Sequence, residues 1–236
     1  MKKTMLALAL ALSCLAAAPA RESGFLDKTI EHEGATVKYV VYVPKAYNPE
    51  KPHPTILFLH GAGERGDDGQ VQAKVGLGPA IKKAEEKWNY IVIFPQVPKG
   101  KNFTDIEKLV LAMIDKTKKE YKVDEKRLYC TGLSMGGMGT WFLACKYPDL
   151  FAAVAPICGR GNPADAAKIK DLPIWNFHGD KDTAVNIKGS QDMIDAIKAA
   201  GGSPKFTIYP GVGHNSWDKA YNEEKLEEWF SQHAKK

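Results

Sequence analysis

The amino-acid sequence reads as a doubly wound, mostly parallel α/β sheet in one domain. Three observations lead there. Short apolar, β-branched or aromatic runs alternate with segments at helical spacing, the order that repeated strand–helix–strand units produce. The middle runs are apolar almost without interruption, as strands covered on both faces are. No repeat, low-complexity tract or linker divides the chain, and its 236 residues suffice for a core without metal or disulfide staples, since roughly 70–75% of the unfolded surface is buried at this length.

The strand runs, in order, are Thr36 to Val43, Thr55 to His60, Tyr90 to Pro95, Arg127 to Thr131, Ala152 to Ile157, Pro173 to His178 and Lys205 to Tyr209. Glycine or proline follows or closes most of them, as at Gly61, Pro95, Gly132, Gly179 and Pro210, which punctuates a strand where the chain turns. Helical spacing marks Gly78 to Trp88, Phe103 to Tyr121, Gly137 to Tyr147, Lys188 to Ala200 and Glu223 to His233. In such sheets ligands bind beyond the carboxyl ends of the strands, so chemistry is sought in those loops.

The composition is that of an ordinary globular protein, 44% hydrophobic and 26% charged, which excludes disordered and collagen-like classes. The net charge of +5 reads as mildly basic, but part of it belongs to a targeting segment. Lys2 and Lys3 precede the apolar run Met5 to Leu12, and small residues lead to Ala18-Pro19-Ala20. That is the pattern of a signal peptide over residues 1–20, with cleavage after Ala20 and export of residues 21–236 as a single catalytic domain. Cys14 offers a lipoprotein alternative, but Ala11-Leu12-Ser13 is a poor lipobox. The apolar run is too short and too soon interrupted for a membrane span. Without Lys2 and Lys3 the charge falls to +3 and no basic block remains, so neither a nucleic-acid nor a membrane partner is expected. Oligomeric state is unassigned. Cys130, Cys145 and Cys158 then survive, an odd number that leaves at least one thiol free. They read as buried small hydrophobes, with room for one disulfide, and their spacing matches no zinc site.

One strand-end loop reads Gly132-Leu133-Ser134-Met135-Gly136. This G-x-S-x-G motif follows an apolar strand and opens a helix near Gly137, the context of a sharp turn that exposes a serine nucleophile. A serine hydroxyl needs a base to take its proton and an acid to orient that base, and in this motif class they follow in the order serine, acid, histidine. His178-Gly179-Asp180-Lys181-Asp182 supplies two acids at a strand end, and spacing alone does not separate them. Of the six histidines only His214 follows that loop at a strand end, which makes it the base. The oxyanion of the tetrahedral intermediate needs two backbone N–H donors, one after the nucleophile and one from an earlier loop. These are Met135 and Ala62. His60, Glu64 and Arg65 are expected to hold that loop through hydrogen bonds and ion pairs.

Gly61-Ala62-Gly63-Glu64-Arg65-Gly66 is formally G-x-G-x-x-G, the dinucleotide fingerprint. The fingerprint also needs a helix opening on the glycines and an acid after the next strand. Here a polar loop follows, and the next strand ends in Phe94-Pro95-Gln96, so the dinucleotide reading is set aside. No cofactor and no metal are expected.

His60-Gly61-Ala62-Gly63, Gly132-Leu133-Ser134-Met135-Gly136-Gly137, His178-Gly179-Asp180-Lys181-Asp182 and Gly213-His214 resemble the secreted α/β-hydrolase esterases. The resemblance lies near the phospholipase/carboxylesterase and dienelactone-hydrolase-like groups and the polyhydroxybutyrate-depolymerase and feruloyl-esterase relatives, and spans Thr36 to about Phe230. It implies the α/β-hydrolase fold and a serine esterase acting through an acyl-enzyme on short-chain, acetyl or feruloyl esters, free or polysaccharide-borne. It also implies Asp182, four residues after His178, as the acid. Gln96, Lys99, Arg160 and Trp217 are candidates to line the substrate pocket. The loop from Ile157 to Leu172 is too short for a separate lid domain. A peptidase with the same triad and a non-catalytic carbohydrate- or partner-binding protein are the alternatives.

Overall fold

A computed structural model describes residues 22–236; the expected export segment and Cys14 lie outside the described residues. Eight strands form one sheet in the order β1-β2-β4-β3-β5-β6-β7-β8. They are β1 (Gly24–His32), β2 (Ala35–Val43), β3 (His53–Leu59), β4 (Ile91–Phe94), β5 (Val123–Leu133), β6 (Ala153–Ile157), β7 (Trp175–Gly179) and β8 (Lys205–Tyr209). From β4 through β8 all pairings are parallel. β1 and β2 are an antiparallel hairpin whose second strand joins the sheet antiparallel to β4.

Alternation along the strands explains why the sheet is covered on both faces. Val41, Leu57, Leu59, Ile91, Ile93 and Cys130 face one way, into a core closed by α2 (Glu107–Glu120), α3 (Met135–Lys146) and α4 (Lys188–Ala199). Val40, Ile56, Phe58, Val92, Phe94 and Tyr129 face the other way, against α1 (Leu77–Lys83), α5 (Trp217–Asn222) and α6 (Leu226–Ser231). Such two-sided burial turns the central strands into the apolar runs seen in the sequence.

Three elements differ from the sequence reading. β1 was not expected; as an edge strand it has no fully buried side chain and therefore no strong apolar run. Its turn, Glu33-Gly34, has positive φ at both residues, 51° and 79°, the geometry of a two-residue hairpin. α5 was also missed. The helix expected over Glu223 to His233 is shorter, because Lys225 enters α6 in the left-handed region at φ 52°.

Candidate active site

Ser134 sits between the end of β5 and the first residue of α3, with φ 54° and ψ −115°. A side chain seldom adopts that conformation, and it persists only where the surroundings enforce it. Here the enforcement is steric. A Cβ on Gly136 would lie 1.9 Å from the Leu59 carbonyl oxygen, and one on Gly132 would lie 2.6 Å from both the Leu59 and Gly136 oxygens. Only glycine lets β3, β5 and α3 approach so closely, and that approach lifts the serine out of the sheet. The Ser134 N–H donates to Ile157 O at 2.9 Å.

His214 lies in the loop between β8 and α5, with its Nε2 2.9 Å from Ser134 Oγ. Its Nδ1 is 2.7 Å from Asp182 Oδ2. Because Asp182 accepts there, Nδ1 carries the proton and Nε2 is free to receive one from the serine. Asp182 Oδ1 accepts from the backbone N–H groups of Ala184 and Val185, both at 2.9 Å. Burial pushes this carboxyl up, but the hydrogen bonds from His214, Val185 and Ala184 outweigh it and hold the pKa below the ordinary aspartate value. Asp182 is therefore an anion at neutral pH. Asp180 does different work: its Oδ1 accepts the Gly211 N–H at 2.7 Å, bracing the loop that leads to His214.

Ala62 opens a short helical turn, Ala62–Glu64, and Met135 is the first residue of α3. First-turn N–H groups have no acceptor inside their own helix, so neither of these two N–H groups is spent within its own helix. A Cβ on Gly61 would come 2.8 Å from Leu133 Cδ1 and 3.9 Å from the Ser134 Cβ, which puts the Ala62 loop against the serine.

Three side chains hold that loop. His60 is buried; its Nδ1 donates to Gly61 O at 2.6 Å and its Nε2 accepts the Val97 N–H at 2.9 Å. Desolvation lowers its pKa to about 4, so the ring is a neutral strut. Arg65 donates to Lys101 O and to Asn102 Oδ1, at 2.6 and 2.7 Å. Gln96, expected in the pocket, is instead buried behind the loop: its Nε2 donates to Glu64 O and its Oε1 accepts the Gly69 N–H. Gln96 is corrected from a substrate contact to a loop staple, because both ends of its amide are already bonded within the protein.

Trp217 stands edge-on to the His214 ring, 5.4 Å between centroids, and walls that ring on one side. Lys99 is exposed beyond Pro98. Arg160 is exposed on the loop after β6 and rims a cavity of about 570 Å³ that runs along α3 past Met138, Trp141 and Phe142.

Cys130, Cys145 and Cys158 are free and buried. Cys158, read from the sequence as a core hydrophobe, has its Sγ 3.3 Å from the Ser134 amide nitrogen. The available signal was its place at the carboxyl end of a strand. Among the described residues, Cys158, Asp182 and His214 are the one group of such donors close enough to share a metal ion, their ligand atoms lying within 4.8 Å of one another. The carboxylate and imidazole of that set already bond to each other, and desolvation pushes the thiol up to about 12.

A mostly parallel, doubly wound sheet that presents a serine on a strained turn after β5, with an aspartate after β7 and a histidine after β8, has the α/β-hydrolase fold. Within that fold the chain belongs to the dienelactone hydrolase family, whose pattern matches residues 27–234. It is 32% identical over 160 residues to a bifunctional acetylxylan esterase/xylanase of Neocallimastix patriciarum, a match covering 65% of this chain and 22% of that protein. With feruloyl esterase B of Thermothelomyces thermophilus it shares 26% identity over 239 residues, covering 93% of this chain and 77% of the relative. A solved thermostable esterase superposes with a TM-score of 0.83 at 33% identity, over 89% of this chain and 63% of that one. The chain thus spans about a fifth of the fungal bifunctional protein. No helix among the described residues is long and apolar enough to cross a membrane.

Proposed function

We propose that the protein is a serine carboxylic-ester hydrolase with Ser134 as nucleophile, His214 as general base and acid, and Asp182 as the orienting anion. The observation that carries the reading is the continuous hydrogen-bonded chain from Ser134 Oγ through His214 to Asp182, at 2.9 and 2.7 Å. Ser134 Oγ attacks the acyl carbonyl while His214 Nε2 takes its proton. The oxyanion that forms is met by the N–H groups of Ala62 and Met135, and one such donor is worth about 3 kcal/mol in the transition state. Collapse of the intermediate expels the alcohol, which leaves with the proton from His214. Water then attacks the acyl-enzyme, gives its proton to His214, and releases the acid as Ser134 recovers its own.

The substrates we propose are short-chain, acetyl or feruloyl esters, including those borne on polysaccharide. The acetylxylan and feruloyl esterase names of the relatives support this class, as does a nucleophile that remains partly exposed. The signal-peptide pattern supports export, which suits polymer-borne esters, and we read residues 21–236 as one catalytic domain. The test is hydrolysis of p-nitrophenyl acetate and butyrate and of methyl ferulate. Activity is expected in the native chain and lost by about a millionfold in Ser134→Ala; appreciable turnover by that variant would overturn the assignment.

A further inference from the structure

Asp182 is hydrogen-bonded by two histidines. Besides His214, the Nε2 of His178 lies 3.1 Å from the same Oδ2. His178 is the penultimate residue of β7, and its side chain is fully buried. The same Nε2 is 2.9 Å from Val185 O. Both neighbours are acceptors, so Nε2 carries the proton. Its Nδ1 is 2.8 Å from the hydroxyl of Ser190 on α4, and that hydroxyl is 2.9 Å from Gly159 O. Gly159 in turn packs on the nucleophile turn, where a Cβ added to it would come 2.4 Å from the Gly137 carbonyl carbon.

We infer that His178 is a positioning residue for the acid of the triad, resting on the hydrolase reading above: it restrains the Asp182 carboxylate by a second imidazole N–H and ties it through Ser190 and Gly159 to the turn that carries Ser134. With His178 in place, Asp182 accepts from Ala184 and Val185 on Oδ1 and from two rings on Oδ2, so each oxygen has two donors, the full capacity of a carboxylate. The carboxylate cannot rotate about its Cβ–Cγ bond without breaking several of these bonds. The second ring also draws negative charge away from the His214 side. A carboxylate shared between two donors pulls on each less, so His178 moderates the hold of Asp182 on the proton of His214 Nδ1.

The titratable groups acting on His178 are Asp182 from its own loop and His214 from the loop after β8; α4 presents the uncharged Ser190. Burial lowers the ring's pKa further than the Val185 carbonyl and Asp182 raise it, and His214 lowers it again, so it stays neutral. The single proton of Ser190 is then shared between two acceptors, Nδ1 and Gly159 O.

The experiment compares His178→Leu, His178→Gln and Ser190→Ala by the pH dependence of kcat/KM on p-nitrophenyl butyrate, and by the rate of fluorophosphonate labelling of Ser134. His178→Leu is expected to lower kcat by about 10- to 100-fold, the scale of one hydrogen bond to a charged group, with KM within about twofold. Its acid limb moves to higher pH, because Asp182 now serves His214 alone. Glutamine, whose amide N–H reaches the place of Nε2, restores most of the rate and returns the limb toward its native position. Ser190→Ala shifts both in the same direction as leucine, by less. The inference is overturned if the leucine variant keeps its native melting temperature with rate and limb unchanged, or if the rate falls while the limb stays and glutamine restores nothing. Should the leucine variant fail to fold, glutamine and Ser190→Ala decide by the same criteria. A native chain that neither labels nor hydrolyses would instead defeat the hydrolase reading itself.

Discussion

The turn that carries Ser134 and the loops that carry Asp182 and His214 meet within hydrogen-bonding distance, yet different forces hold them. At the serine, backbone presses on backbone: Gly132 and Gly136 leave no space for even one more carbon, and the strained φ of 54° follows from that contact. Around Asp182 and His214, side chains bond to backbone and to each other: Asp182 to the Ala184 and Val185 amides, Asp180 to the Gly211 amide, and His178 to Asp182 and Ser190. A steric constraint is all-or-none, whereas hydrogen bonds can be removed one at a time. The Ser134 turn should therefore fail abruptly when altered, and the Asp182–His214 side should weaken in steps.

The largest expected effect on the hydrogen-bonded side is that of Asp182→Asn. An amide in that place presents the wrong hydrogen-bonding pattern to His214 Nδ1, and kcat should fall by about 10⁴-fold with the fold intact. Steady-state kinetics beside a thermal melt checks this. On the steric side, Gly136→Ala puts a methyl group 1.9 Å from the Leu59 oxygen. Strand and helix must separate, with an expected loss of about 3 kcal/mol in stability and at least about 100-fold in kcat/KM from misplacement of the serine. Urea unfolding together with kinetics reads both; a variant as stable and active as the native chain would remove the distinction between the two regions.

A third effect is on stability against pH. The folded-state pKa of His60 lies near 4 because its ring is desolvated, below the unfolded value near 6.5. Between those values the unfolded chain binds the extra proton, so stability is full above about pH 6.5 and is lost as pH falls toward 4. His53, His178 and His233 are displaced in the same direction by burial. For His60 alone the loss should approach about 2–3 kcal/mol, and His60→Asn should flatten the slope in unfolding experiments at pH 7 and pH 4.5. Asp180→Ala should have the smallest effect. It removes one acceptor in an exposed turn, costing about 0.5–1.5 kcal/mol with kcat changed only a few-fold. A loss as deep as that of Asp182→Asn would exchange the roles given to the two aspartates.

Elements and residues differed in how plainly the sequence announced them. β3 to β6 were legible because burial on both faces leaves a nearly continuous apolar run. β1 was not, since an edge strand half-exposed along its length carries only a weak alternation. Ser134 and His214 stood out because their turns need glycine and a fixed chain order. Gln96 was misread because a polar residue at a strand end looks the same whether it faces substrate or staples a loop. Cys158 looked like any buried thiol until the fold brought it to 3.3 Å from the Ser134 amide.

What the sequence by itself determined was the sheet's apolar strands, the glycine-flanked serine turn and the chain order of Ser134, the Asp180–Asp182 loop and His214. These are local properties, carried by periodicity and by backbone conformations that few residues tolerate. Residue spacing left Asp180 and Asp182 open; tertiary structure brought Asp182, the one the resemblance implied, to His214, and alone decided where Gln96 spends its amide and that His178 bonds the same carboxylate. Each of those outcomes depends on the direction of a side chain across loops far apart in the chain, and close packing in three dimensions is what sets that direction.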